Sequence, residues 1–166
     1  MENEELGIQM EQTIRKATAG DTAAVMDIIR RTRFFRPVEE DIALEVLDDA
    51  VTDPTYQSYV IEAHGRVAGW VCFGITPCTL GTFDIYWLAV DPQAQHGGLG
   101  SALLTFAERQ IAAQGGRLMI IETSGSEMYR PTQRFYEKNG YRLAACVEDF
   151  YAPADPKMIF TKPVIG

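Results

Sequence analysis

The sequence lacks the features that mark a membrane or secreted protein. No apolar run in its 166 residues approaches the roughly 18 residues that a membrane-spanning helix needs. Residues 1–11 are acidic and have no apolar core, unlike a signal peptide, so we expect a flexible acidic tail there. The three cysteines, Cys72, Cys78 and Cys146, are odd in number and show no metal-ligand spacing. We therefore expect reduced thiols, a cytoplasmic location, no metal centre and no membrane partner.

Positive charge is also scarce, because 15 Lys and Arg side chains stand against 23 Asp and Glu side chains, giving a net charge of −8. A surface of this sign disfavours nucleic acid as a partner, since phosphates require clustered Lys and Arg. It suits cationic substrates, although the excess can equally serve only to solvate the surface. The sequence contains neither Gly-x4-Gly-Lys-Ser/Thr nor Gly-x-Gly-x-x-Gly, which argues against a nucleotide P-loop and a dinucleotide-binding fold.

The apolar content of 46% is ordinary and sufficient for one domain, which we place at residues 12–166. Hydrophobic periodicity and turn signals predict the order β-α-α-β-β-β-α-β-α-β-β. The strands are expected at 13–17, 56–63, 67–75, 83–90, 118–123, 141–147 and 158–162, and the helices begin near residues 21, 37, 98 and 131. This order predicts an α/β fold in which helices flank a mixed sheet.

The strand patterns also predict finer features. Strict alternation along strand 83–90 places two sets of side chains on opposite faces, Asp84, Tyr86 and Leu88 on one and Ile85 and Trp87 on the other. Strand 118–123 is almost wholly apolar, which is typical of a strand buried on both faces. The last two strands are expected to be joined by a loop that contains Pro153 and Pro156.

The stretch 87–104 carries the strongest signal for a ligand. Its apolar first part ends at Asp91-Pro92, because proline cannot continue a strand ladder, and a helical pattern follows the glycines Gly97, Gly98 and Gly100. Backbone N–H groups at a glycine-rich helix start suit a phosphate or pyrophosphate, and the missing side chains let that group approach. A helix start built of small residues would also explain these glycines without a ligand.

The spacing Gln95-x-x-Gly98-x-Gly100 resembles the Gln/Arg-x-x-Gly-x-Gly/Ala acetyl-CoA motif of the GNAT-type N-acetyltransferases. The resemblance extends over residues 14–162 and implies one domain with helices on both faces of a mostly antiparallel sheet. It also implies acetyl-CoA as cosubstrate. The residues that it assigns to acetyl-CoA binding are Leu88, Ala89, Val90, Gln95, His96, Gly97, Gly98, Leu99, Gly100 and Ser101.

A second segment, 135–141, resembles the Tyr-Glu-x-x-Gly-Phe/Tyr segment of the same family. The resemblance places Tyr136 beside the sulfur of CoA. The thiolate of a thiol with a pKa of about 8.5 is a weaker base than a tyrosinate, whose tyrosine has a pKa of about 10. Full proton transfer from an unshifted tyrosine to the departing thiolate is therefore unfavourable by about 2 kcal/mol. We therefore expect Tyr136 to donate a hydrogen bond to the sulfur, and to act as a true acid only if its pKa is lowered.

Acetyl transfer also requires a neutral amine. A lysine-like amine has a pKa of about 10.4, and neutralising it at pH 7 costs about 5 kcal/mol, so a positioned base is expected. Glu122 ends an apolar strand, as does the general base of the ribosomal-protein-alanine acetyltransferases that this segment resembles. Burial would raise the pKa of a carboxylate there. Asp84 and Tyr86 are the reserve candidates, since other family members carry the base on that strand.

The resemblance further implies that backbone N–H groups of Leu88–Val90, freed by a β-bulge, stabilise the developing oxyanion. The acceptor side departs from the family. Tyr129 stands where the family often has asparagine, and the segment 124–130 is about two residues longer than usual. The segment Phe34-Phe35-Arg36, between the first two helices, corresponds to one that borders the acceptor pocket in the family.

These observations predict an acetyl-CoA-dependent N-acetyltransferase that transfers the acetyl group directly to a primary amine, without a metal. A small-molecule amine is the expected acceptor, and a protein N-terminus or lysine side chain is the alternative within the enzyme class. A CoA-binding sensor or interaction module without catalysis is the alternative from another class. A homodimer is possible, because homodimers are common in the family.

Overall fold

The computed structural model describes residues 12–94 and 97–165. Its helices and strands follow the predicted order, with short 3₁₀ turns at 19–21 and 127–129. The elements are β1 (Gln12–Lys16), α1 (Thr22–Thr32), α2 (Pro37–Asp49), β2 (Gln57–Ala63), β3 (Arg66–Ile75), β4 (Thr82–Val90), α3 (Leu99–Ala113), β5 (Leu118–Ser124), α4 (Arg130–Lys138), β6 (Arg142–Ala152) and β7 (Asp155–Pro163). The predicted tail, Gln95 and His96 lie outside the described residues. Within the described ranges, no helix is long and apolar enough to cross a membrane.

The seven strands form one sheet in the order β1-β2-β3-β4-β5-β7-β6. Every pair is antiparallel except β4 and β5, which run parallel from Thr82 opposite Leu118 to Ile85 opposite Ile121. The pairing of β4 with β5 ends there, although β4 continues to Val90 and β5 stays paired with β7 as far as Ser124. The two strands therefore part in the middle of the sheet and leave an opening between them.

Helices cover both faces of the sheet, as expected. On one face, here called the α3 face, the apolar sides of α3 and α4 pack on Phe83, Ile121 and Phe160. On the other, the α1–α2 face, α1 and α2 pack on Val60, Trp70 and their neighbours in β2, β3 and β4. The core of the α1–α2 face reaches no further than β4 among the described residues, so β5, β7 and β6 are less covered on that side.

The predicted alternation along β4 is wrong because the strand contains a β-bulge. Cys72 of β3 lies opposite Trp87, whereas the next residue, Phe73, lies opposite Ile85, so Tyr86 is an extra residue in β4. The extra residue shifts the alternation. Ile85 faces the α3 core and Trp87 faces the α1–α2 core, so the two do not share a face, and Leu88 packs against the α3 core. The bulge also lies before Leu88–Val90, not within them.

Two predictions for the C-terminal part are also wrong. Strand β5 is buried on one face only, since Ile120 and Glu122 are partly or fully exposed on the α1–α2 face. No long proline-containing loop joins the last strands, because β6 extends to Ala152 and β7 begins at Asp155. The ladder tolerates Pro156 because the register shifts between Val147 and Ala152, so Pro156 faces no strand residue that needs its missing N–H.

An ion-pair network holds the start of α1 against the sheet edge. Arg15 of β1 donates to both carboxylate oxygens of Asp21, at 2.8 and 2.9 Å, and also to Glu62 of β2. The Asp21 carboxylate additionally accepts from the Thr18 N–H at 2.8 Å, so it caps the preceding turn rather than α1 itself. These interactions, the Arg15 bond first, lower the pKa of Asp21 from its ordinary 3.8 to about 2.

Because the pKa of Asp21 is lowered in the folded state, its contribution to stability is complete above about pH 4 and disappears as the pH falls through 2. We expect Asp21→Asn to lower the free energy of unfolding by about 2 kcal/mol at pH 7, and the difference from wild type to shrink towards pH 2. Urea unfolding curves across this pH range measure it. Asp48→Asn, on the exposed side of α2, serves as the control and should change little. A difference that stays constant from pH 7 to pH 2 would contradict the assignment.

Candidate active site

The opening between β4 and β5 exposes backbone groups of β4. The Asp91 N–H donates to the Ala68 carbonyl of β3 at 2.8 Å. Because peptide groups alternate along a strand, the N–H group of Ala89 also points towards β3. The N–H groups of Leu88 and Val90 point the other way, towards the edge of β4 that faces β5. On that edge the pairing with β5 has already ended. Two of the three predicted backbone positions therefore face the opening, while Ala89 turns its buried side chain to the α1–α2 core.

The glycine segment forms the N-terminus of α3. Gly98 is the N-cap residue and adopts a left-handed conformation with φ of 74°, which favours glycine. The first helical hydrogen bond across the cap runs from the Ala102 N–H to the Gly98 carbonyl at 3.0 Å. The N–H groups of Leu99, Gly100 and Ser101 therefore have no partner within the helix, and no acidic residue lies in the first turn. This end of a 15-residue helix suits an anion.

Gly100 is constrained by packing rather than by its backbone conformation. A Cβ atom at this position would lie 3.2 Å from the Phe135 ring of α4 and 3.5 Å from Val90 of β4. Glycine therefore lets the first turn of α3 approach both elements that border the opening. From the sequence, ligand approach and a helix start built of small residues both explain the glycines, and the structure adds these two packing requirements at Gly100.

The turn between β4 and α3 is anchored from α1. Arg31 donates to both carboxylate oxygens of Asp91, at 2.7 and 3.1 Å, and the Asp91 carboxylate accepts from the Gln93 N–H at 2.9 Å. The guanidinium is the main cause that lowers the pKa of Asp91. A cavity of about 600 Å³ adjoins this turn, lined among others by His64, Arg66 and Gly97, and it contains neither Glu122 nor Tyr136.

Tyr136 approaches from the α3 face. It is 7% exposed, and its ring contacts those of Phe135, Tyr141 and Phe160. Among the described residues, the Tyr136 hydroxyl has no hydrogen-bond partner. Every fully buried side-chain oxygen in this part of the chain does have a partner. The Tyr136 hydroxyl is therefore not fully buried and borders accessible space. Burial raises the pKa of Tyr136 above that of an ordinary tyrosine. Proton transfer from Tyr136 would require a lowered pKa, and this condition is not met. The hydroxyl can instead act as a neutral hydrogen-bond donor.

Glu122 lies on the opposite face, at the end of β5. Its predecessor Ile121 packs in the α3 core, so the Glu122 side chain points to the α1–α2 face. The side chain is 43% exposed rather than buried. Its Oε2 atom lies 2.7 Å from the Nζ atom of Lys157 in β7, a residue that the sequence analysis did not identify.

The reserve candidates lie near the same place. Tyr86 follows Ile85, the residue opposite Ile121, so Tyr86 and Glu122 lie at the same level of the two parting strands. Tyr86 is 40% exposed, and partial burial, followed by the Asp84 carboxylate, raises its pKa. Asp84 itself accepts a hydrogen bond from the Thr76 hydroxyl at 2.5 Å, on the preceding turn. Neither residue is paired with Glu122 among the described contacts.

A group of tyrosines and acids borders Glu122. The Tyr129 hydroxyl donates to the Phe34 carbonyl at 2.9 Å, and the two rings lie 5.6 Å apart. Burial and then the carboxylates of Glu39 and Asp155 raise the pKa of Tyr129 to about 12. Burial also raises the pKa of Tyr151, as do the nearby carboxylates of Glu122, Asp155 and Glu39.

Of the segment Phe34-Phe35-Arg36, Phe34 joins this group through its hydrogen bond with Tyr129. Arg36, the N-cap residue of α2, also lies near Tyr129, whereas Phe35 packs against Trp87 with ring centroids 5.2 Å apart. The sequence analysis missed Tyr151, Asp155 and Lys157 because it placed them in a loop. Side chains alternate between the two faces along a strand. A last strand predicted to begin at Asp155 would therefore have placed Asp155 and Lys157 on the same face as Glu122.

Comparisons with known proteins identify the family of this fold. A family model described as an acetyltransferase (GNAT) domain matches residues 54–143. A solved structure of a GNAT-family acetyltransferase from Desulfovibrio desulfuricans superposes with a TM-score of 0.89 at 37% identity, covering 93% of this chain and all of that one.

Two curated relatives also match. Mycothiol acetyltransferase of Saccharomonospora viridis is 27% identical over 131 residues, 73% of this chain and 42% of the relative. Amino-acid acetyltransferase of Pseudomonas syringae pv. syringae is 26% identical over 159 residues, 92% of this chain and 34% of the relative. The chain thus spans less than half the length of these two relatives. The family model matches more than half of the chain, and the solved structure shares its fold. This protein therefore belongs to the GNAT acetyltransferase family.

Proposed function

We propose that this protein transfers an acetyl group from acetyl-CoA directly to the primary amine of a small molecule. The observation that carries the proposal is the opening between β4 and β5. It is bordered by Tyr136 from the α3 face and by Glu122 from the α1–α2 face, so a donor and an acceptor can meet through the sheet from opposite sides. The names of the two curated relatives, which act on mycothiol and on an amino acid, support a small acceptor.

The residues around the opening fit acetyl-CoA. The free N–H groups at the start of α3, from Leu99 to Ser101, would bind its pyrophosphate, with Gln95, His96 and Gly97 preceding them in the motif. The backbone groups of Leu88 and Val90 would bind the extended part of the molecule along β4. When bound, acetyl-CoA supplies an acetyl group activated as a thioester, and its thiol leaves with one proton from the amine.

Glu122 is proposed as the base. An acceptor amine arrives largely protonated at neutral pH, and a carboxylate within hydrogen-bond reach can take its proton directly or through water. The Oε2 atom of Glu122 is bound to Lys157, which leaves Oε1 and the exposed side of the carboxylate for the amine.

Tyr136 is proposed to donate a hydrogen bond to the leaving sulfur. Its raised pKa keeps the hydroxyl protonated across the neutral and mildly alkaline range. A neutral donor strengthens its bond as charge develops on the sulfur, without a proton transfer that would be unfavourable.

The direct test is the release of thiol from acetyl-CoA in the presence of amines, amino acids and short peptides, with CoA binding followed in parallel. We expect turnover with small amines and little with peptides, because the contact between Tyr129 and Phe34 closes one side of the acceptor region. If only peptides are acetylated, the acceptor is a protein and not a small molecule. Tight CoA binding without turnover for any amine would favour a sensor.

Gly98→Ala tests the pyrophosphate site. The substitution strains a residue with φ of 74°, costs about 1–2 kcal/mol of stability and disturbs the first N–H groups of α3. We expect the KM for acetyl-CoA to rise about tenfold, the loss of one hydrogen bond to a charged group. Gly115→Ala, beyond the other end of the same helix, is the matched control, since its φ is 78° and its Cβ would also meet nothing within 4 Å. Equal effects of both variants on KM would exclude the site.

Glu122→Gln tests the base. The amide keeps the size of the side chain but cannot take up a proton, so we expect kcat to fall by about 10²–10³ at neutral pH. The KM for acetyl-CoA should be unchanged. Glu127→Gln is the control, because Glu127 is exposed, lies five residues further along the chain and pairs with Arg130 alone among the described residues. Full activity of Glu122→Gln would remove Glu122 from the mechanism and turn attention to Asp84 and Tyr86.

A further inference from the structure

We propose that the acceptor carries a carboxylate on the carbon next to its reactive amine, as an α-amino acid does, and that Lys157 binds this carboxylate while Glu122 takes the amine. The inference rests on the proposed function and names the substrate class of the same site. Three observations support it. Lys157 and Glu122 form an ion pair, neighbouring groups fix the position of Lys157, and the other charged side chains nearby have partners of their own.

The sheet places the two charged groups side by side on the α1–α2 face. In the ladder between β5 and β7, Ser124 lies opposite Lys157 and Glu122 lies opposite Ile159. Glu122 and Lys157 are therefore diagonal neighbours on one face, and the Nζ atom of Lys157 reaches Oε2 of Glu122 at 2.7 Å. Both residues belong to paired strands, so their relative position does not depend on a loop.

The surroundings of Lys157 fix its ammonium group in position. Its side chain is only 16% exposed, and its ammonium lies 4.0 Å from the centre of the Phe150 ring. The register shift in β6 between Val147 and Ala152 leaves Phe150 outside the regular ladder, which lets the ring cover the lysine. An ammonium has three donors, and among the described residues Glu122 is the only acceptor paired with it. Lys157 can therefore bind a further anion.

The arrangement of charges is complementary to a zwitterion. In an α-amino acid the ammonium and carboxylate are separated by one carbon, and the Lys157–Glu122 pair presents the opposite charges at adjacent positions. An acceptor with an ammonium alone would place a second cation beside Lys157. A carboxylate on the acceptor removes this repulsion and occupies the donors that Lys157 leaves free.

The other charges at the site are already engaged. Asp155 accepts a hydrogen bond from the Ser124 hydroxyl at 2.5 Å, and Glu39 pairs with Arg36 at 3.3 Å across the first turn of α2. Phe150 stacks edge-on against Tyr151, with ring centroids 4.9 Å apart, so the aromatic wall is itself supported. Lys157 and Glu122 pair with each other, but the remaining donors of the ammonium and the Oε1 atom of Glu122 are left for an incoming acceptor.

The experiment compares acceptors that differ only in this carboxylate. For several side chains, the free amino acid, its carboxamide and its decarboxylated amine are each assayed for thiol release from acetyl-CoA. We expect kcat/KM to be about 10- to 100-fold higher for the amino acid than for the carboxamide, the effect of one hydrogen bond to a charged group. Calorimetric binding of the same compounds to the CoA-loaded protein supplies a second readout that does not require turnover.

Variants then assign the effect to Lys157. In Lys157→Met, the stem remains but the charge is lost, and the preference for the amino acid over its carboxamide should fall to about one. Lys157→Arg should retain most of the preference. Lys16→Met, in exposed β1, removes one positive charge elsewhere and should leave the preference unchanged. The preference is a ratio measured within one preparation, so it is independent of how much of a variant folds.

The possible outcomes separate the two proposals. Acetylation that favours the carboxamide or the decarboxylated amine would overturn the inference and leave the N-acetyltransferase in place. A preference for the amino acid that survives in Lys157→Met would also overturn it. If no amine is acetylated, the proposed function fails, and calorimetry still decides whether the site selects a carboxylate through Lys157.

Discussion

The end of the hydrogen bonding between β4 and β5 is the constraint on which the rest of the site depends. Parallel pairing stops at Ile85 and Ile121, while each strand continues beside its other neighbour. A sheet that parts in this way has unpaired backbone groups in its centre, and such groups require a partner. The extended backbone of a ligand can supply one, so the opening links the stability of the fold to its proposed function.

The two faces of the sheet give the two sides of the opening different chemistry. On the α3 face, the start of α3 offers backbone N–H groups and Tyr136 offers a neutral hydroxyl, which together suit a phosphate and a leaving sulfur. On the α1–α2 face, Glu122 and Lys157 offer opposite charges, and the helices do not cover them. The proposed anion site and the proposed base are thereby separated by the thickness of one sheet.

Long-range contacts fix the segments on both sides of the opening. Arg31 of α1 fixes the turn that precedes the glycine segment, and Tyr129 joins the segment before α4 to the end of α1. Tyr129 occupies the position where the sequence departs from the family pattern, and the structure gives it a specific role in closing the acceptor side. Residues separated by 60 and 95 positions in the chain thus border one site.

The sequence by itself determined the order of the elements, the mixed sheet flanked by helices and the glycine segment at the start of α3, because periodicity, proline and glycine act locally. By resemblance, it also named Glu122 and Tyr136 as candidate site residues. Only the tertiary structure decided the bulge at Tyr86, the extension of the last hairpin and the partner of Glu122. Strand register and side-chain pairing depend on neighbours that are distant in sequence, and a single extra residue in one strand changes which side chains face the site.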